Sequence, residues 1–101
     1  MIVEHATLNI KVGMEDAFES AMATAGSIFD RADGFRSLKV LRSVETESSY
    51  VLALEWETLE DHTVTFRESG LLDEWRQFVG GFLAGAPVVG HFEDAGGFDR
   101  H

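Results

Sequence analysis

The sequence has no cysteine and a single proline, Pro87, and its eight lysines and arginines face eighteen acidic residues. Without thiols there are no disulfides, no cysteine nucleophile, no thiolate zinc site and no cysteine-ligated cluster. The shortage of basic residues leaves a formal charge of −10, which repels phosphate backbones and anionic bilayers, so no nucleic-acid or membrane partner is expected. No apolar run approaches the roughly eighteen residues of a membrane span. Met1–His5 show no basic region followed by an apolar core, so a cytoplasmic protein is expected. What is present is apolar material: 45% of the 101 residues, enough for one domain and one core near the lower size limit for standing alone. Oligomerisation is expected on that ground.

Ile2 to Val12 alternates, with Ile2, Ala6, Leu8 and Ile10 on one side and Val3, His5, Thr7 and Asn9 on the other, the period of a strand. From Met14 to Ala32 apolar residues recur three and four apart, which predicts a helix stopped by Gly34. Phe35–Glu45 and Tyr50–Glu57 read as two strands joined by a polar hairpin loop. Thr58 is placed as an N-cap with Asp61 as its capping-box acid, and Leu59, His62, Thr63 and Phe66 form one stripe of the helix it opens. After a break at Ser69-Gly70, Leu71, Trp75, Phe78, Val79 and Phe82 continue a helical register. Pro87 cannot extend it, so Val88–Glu93 becomes a fourth strand.

The order β-α-β-β-α-β predicts an α+β, ferredoxin-like domain over 1–93, with a four-stranded antiparallel sheet, followed by a flexible tail over 94–101. In that topology the helices cover one face of the sheet. Phe35, Leu41, Val51 and Ala53 are expected on the other, so a homodimer is predicted in which two sheets pack face to face as a shared barrel.

Several segments resemble the antibiotic biosynthesis monooxygenase family of dimeric α+β barrels: Gly34-Phe35, Leu54-Glu55-Trp56-Glu57, Leu59-Glu60-Asp61-His62, Phe66-Arg67-Glu68-Ser69, Glu74-Trp75-Arg76 and Val89-Gly90-His91-Phe92. The likeness runs over about residues 1 to 93. It implies a pocket between helices and sheet. It also implies one of three outcomes: cofactor-free oxygenation of aromatic polyketides or quinols, haem degradation, or no assigned reaction. In cofactor-free oxygenation the substrate supplies the electrons: a phenol or quinol loses a proton and its anion reduces dioxygen directly. The protein then needs a base, hydrogen-bond donors and a dry aromatic enclosure. No metal or flavin motif is needed for this, and none is found, so no cofactor is expected.

His62 titrates near neutrality and is the expected base, against the plainer reading of a helix histidine packed at a cavity edge. Asn9 lies near the strand position where the quinol-oxidising and haem-degrading branches place a functional asparagine, so the resemblance implies a donor there; a structural turn asparagine is the alternative. Phe66, Trp75 and Trp56 offer flat surfaces to an aromatic substrate, although Trp56 equally continues the Tyr50-Leu52-Leu54 core face. Arg67 and Arg76 bind an anionic oxygen or pair with helix acids. His5 and His91 are expected side by side on neighbouring strands, lining the interface or, less favourably, beginning a metal site. Haem ranks lower, since no histidine lies between Thr63 and Gly90 to serve as an axial ligand. The leading expectation is a homodimeric, cofactor-independent monooxygenase acting on a small aromatic with dioxygen. A non-catalytic binding domain and a filled structural module are the competing classes.

Overall fold

The computed structural model describes residues 1–100. Four strands, β1 (Ile2–Asn9), β2 (Phe35–Arg42), β3 (Ser49–Trp56) and β4 (Val88–Glu93), form one antiparallel sheet in the order β2-β3-β1-β4. Helices α1 (Glu15–Met22), α2 (Gly26–Phe29) and α3 (Leu71–Val79) and a π-helical turn (Asp61–Phe66) complete the ferredoxin-like α+β fold. The core lies between helices and sheet. Leu8, Tyr50, Leu52, Leu54 and Trp56 rise from β1 and β3, with Ile10 just beyond β1, to meet Phe18, Phe29, Phe66 and Val79. Phe29 is the hub of the aromatic part, within 5.1 to 6.5 Å, centroid to centroid, of Phe35, Trp56, Phe66 and Trp75.

The long first helix is broken. The Thr24 hydroxyl donates to Ala21 O at 2.9 Å, and the Thr24 and Ala25 amides also bond three residues back, which tightens the chain and ends α1. β1 stops at Asn9 because the amides beyond it turn to other partners: Ile10 N–H to Ser48 O and Lys11 N–H to Phe82 O. β2 ends at Arg42, where the Ser43 hydroxyl accepts from the Glu45 and Thr46 amides and starts the turn.

Phe35 does not lie on the outer face. A bulge between Phe35 and Ser37 shifts the pleat by one residue, so Phe35 pairs with Trp56 and points into the core, while Leu41 opposite Val51 faces outward. Leu41, Val88 and Phe92 are exposed on that outer face, beside half-buried Val3, Val51 and Ala53.

Thr58 and Asp61 form the reciprocal cap: Asp61 N–H donates to the Thr58 hydroxyl and Thr58 N–H to the Asp61 carboxylate, both at 3.2 Å. Gly34, at φ +78°, leaves the space that this carboxylate occupies; a Cβ there would collide with it. Beyond the cap the Thr63 hydroxyl takes the Leu59 carbonyl at 3.0 Å, competing with the backbone ladder where it opens into the π-helical turn. Residues 94–100 form neither helix nor strand and are exposed, and His101 lies outside the described residues. Among the described residues no helix is long and apolar enough to cross a membrane.

Candidate active site

A cavity of about 410 Å³ opens between the sheet and the helices. Ala6, Leu8, Leu52 and Leu54 form its floor, and Phe66 and Trp75 its wall. Its polar residues are Glu4, His62 and Arg76. The volume suits a small, flat organic molecule, and the lining favours an aromatic one.

Glu4, expected at most beside a metal site begun by His5 and His91, is instead a lining residue of this cavity. It occupies the inward phase of β1 with Ala6 and Leu8, and it is only 5% exposed. An acid interrupting an apolar face was the available signal. The Trp56 indole N–H donates to Glu4 Oε1 at 3.0 Å, and His62 Nε2 lies 3.3 Å from the same oxygen. His62 Nδ1 in turn meets His91 Nε2 at 2.8 Å. A chain of four side chains thus runs from buried Trp56 to exposed His91.

The β1–β4 register explains the last link and overturns the pairing of His5 with His91. Glu4 pairs with His91 and His5 with Gly90, so His91 shares the inner face with Glu4. His5 points outward and packs its ring 5.1 Å from Phe92.

Burial dominates the electrostatics. It pushes the His62 imidazole down to about 4, with help from neighbouring His91 and Arg67, and it pushes the Glu4 carboxyl above its usual range, partly offset by the Trp56 hydrogen bond. Near neutral pH His62 is therefore an uncharged imidazole. A carboxylate beside Nε2 favours the tautomer protonated there, which leaves Nδ1 to accept from His91.

The shift sets a stability signature. The unfolded chain protonates His62 near its ordinary value while the folded chain resists until about 4, so acidification through that window favours unfolding. Glu4, shifted upward, works the opposite way. Between about pH 6.5 and 5 the native protein is expected to lose about 1 kcal/mol relative to His62→Gln, after discounting for partial solvation. Urea unfolding of both proteins across that range measures the difference; parallel curves would show that His62 is not desolvated.

The other candidates are distributed unevenly. His62, Phe66 and Trp75 meet at the cavity. Trp56 is fully buried behind it, its indole ring stacked on His62 at 5.1 Å, and belongs to the core. Asn9 sits exposed at the end of β1 and does not line the cavity. Arg67 is likewise exposed and outside the lining, whereas Arg76 is part of it. The π-helical turn carries His62 and Phe66 together to the cavity, a local device often found at working sites.

Known proteins share this sequence and fold. The sequence model of the antibiotic biosynthesis monooxygenase family matches residues 1–81. The chain belongs to that family. It is 39% identical over 94 residues to the uncharacterised protein YczJ of Bacillus subtilis, covering 93% of this chain and 99% of YczJ. Among solved structures, a candidate antibiotic biosynthesis monooxygenase from Bordetella bronchiseptica superposes with a TM-score of 0.88 at 37% identity, covering 93% of this chain and 96% of that one. Two more distant solved structures share the fold. The ActVA-Orf6 monooxygenase of Streptomyces coelicolor, solved with nanaomycin D, has a TM-score of 0.80 at 18% identity, over 99% of this chain and 92% of its own. SnoaB of Streptomyces nogalater, a cofactor-independent oxygenase, has 0.77 at 19%, over 98% and 97%.

Proposed function

We propose that this family member is a cofactor-independent monooxygenase that oxidises a small phenolic, quinol or polyketide-like aromatic with dioxygen. The observation that carries this reading is the aromatic-walled cavity with a buried carboxylate and imidazole among its lining residues. Such a cavity meets the needs of the reaction: a base held ready, a neutral indole and imidazole to orient it, and a lining dry enough to strengthen both. The size and lining speak against a filled structural module. Oxygenases built on the same fold support the reaction class. Phe66 and Trp75 are assigned to bind the ring. The test is oxygen uptake by metal-stripped protein supplied with anthrone or a reduced naphthoquinone. Uptake dependent on protein is expected. No uptake with any of them, together with ordinary binding, would favour the non-catalytic ligand-binding reading.

The same reading includes a homodimer packed through the outer sheet face. Leu41, Val88 and Phe92 there are too exposed for a lone domain of this size to leave uncovered without cost. Placing a charge in that patch, as Phe92→Glu, is expected to turn a dimeric mass in equilibrium sedimentation into a monomeric one. A native protein that is monomeric at micromolar concentration would contradict the dimer.

A further inference from the structure

We propose that Glu4, not His62, takes the proton from the substrate, and that His62 and His91 link Glu4 to solvent. The inference rests on the oxidation reading above and assigns its base.

Both ring nitrogens of His62 are already committed. Nε2 lies 3.3 Å from Glu4 Oε1 and Nδ1 is 2.8 Å from His91 Nε2, so neither is free to accept from a cavity ligand without breaking a link. Glu4 is differently placed. Its Oε1 takes the Trp56 N–H and faces His62, while among the described residues no donor reaches its Oε2, and the residue lines the cavity. A hydroxyl or acidic C–H of a bound aromatic has that oxygen as its acceptor.

The surroundings make Glu4 a stronger base than a solvated carboxylate. From β3 it meets neutral Trp56, from the π-helical turn neutral His62, and from β4 the register partner His91. From α3, Arg76 lines the same cavity but makes its ion-pair contact, at 3.9 Å, with Asp73; Arg67 is exposed beyond the turn. No cation touches the carboxylate among the described residues, and burial raises its proton affinity.

The transfer balances simply. The substrate's O–H or C–H bond breaks, its electron pair stays on the substrate as the anion that reduces dioxygen, and a new O–H forms on Glu4. Release uses the reverse hydrogen-bond direction. With both imidazoles turned to their Nδ1–H tautomers, protonated Glu4 gives its proton to His62 Nε2, His62 gives its Nδ1 proton to His91 Nε2, and His91 gives its own Nδ1 proton to water from its exposed position on β4, so each ring gains one proton and loses one. His62 is then a positioning and relay residue.

Two measurements test this. In the ligand-free protein, nitrogen NMR of labelled histidine is expected to show His62 as the neutral Nε2–H tautomer, and Glu4→Gln is expected to weaken that preference. A His62 tautomer and titration unchanged by both Glu4→Gln and His91→Asn would overturn the relay. Mixing with anthrone under argon then reads anion formation by absorbance without turnover. Glu4→Gln is expected to lose about a hundredfold in rate. His62→Gln, whose amide can still donate to Glu4 but cannot titrate, is expected to stay within about tenfold, and His91→Asn to slow about tenfold. Full ionisation by Glu4→Gln with loss in His62→Gln would overturn the assignment alone. Failure of the native protein to ionise anthrone would overturn the oxidation reading and this inference together.

Discussion

Trp56→Ala is expected to destabilise the protein by about 4–5 kcal/mol, the top of the range for a buried aromatic. The indole is fully buried and meets four rings: Phe66 at 5.4 Å, Phe35 at 5.7 Å, Phe29 at 6.5 Å and His62 at 5.1 Å. Truncation empties that space and also removes the hydrogen-bond donor of a buried carboxylate, which by itself costs about 1–3 kcal/mol. Trp56→Phe separates the two effects, because it keeps most of the packing and loses the N–H. Chemical denaturation of both variants measures the costs. A loss under about 2 kcal/mol for Trp56→Ala would mean that the indole neither fills the core nor holds Glu4.

The second large effect concerns turnover. His62→Ala is expected to lower oxygen uptake with anthrone about tenfold to a hundredfold while the protein stays folded, because Glu4 loses its orienting neighbour and the cavity gains water beside it. His62 is partly solvated and its removal leaves Trp56 bonded to Glu4, so the fold survives the change better than it survives loss of Trp56. Uptake is measured beside the melting temperature of each sample. Full uptake in His62→Ala would remove the imidazole from the reaction.

The regular elements were legible because their signals are local. Alternation in β1 and β3, the Pro87 stop before β4 and the Thr58–Asp61 cap could be read directly, and the order of elements pointed to the fold. What escaped depended on single side chains acting against a periodic pattern. Thr24 bonds the Ala21 carbonyl where α1 ends, Thr63 bonds the Leu59 carbonyl at the π-helical turn, and one extra residue in β2 moves Phe35 into the core. The site was half legible. His62 and Phe66 share one stripe of the turn, Trp75 follows on the next helical segment, and all three reach the cavity. Glu4 and His91 join them only through cross-strand register, which a sequence does not display until the strands are paired. Position 4 nevertheless carried a readable hint, an acid in the apolar phase of a central strand.

Labelled dioxygen tests the central claim most directly. Anthrone oxidised by the metal-stripped protein under isotopically labelled dioxygen is expected to give anthraquinone carrying one labelled oxygen atom, the other leaving as water, with no label entering from labelled water. A product without label from dioxygen, or a rate no faster than without protein, would contradict the assignment of this cavity to monooxygenation.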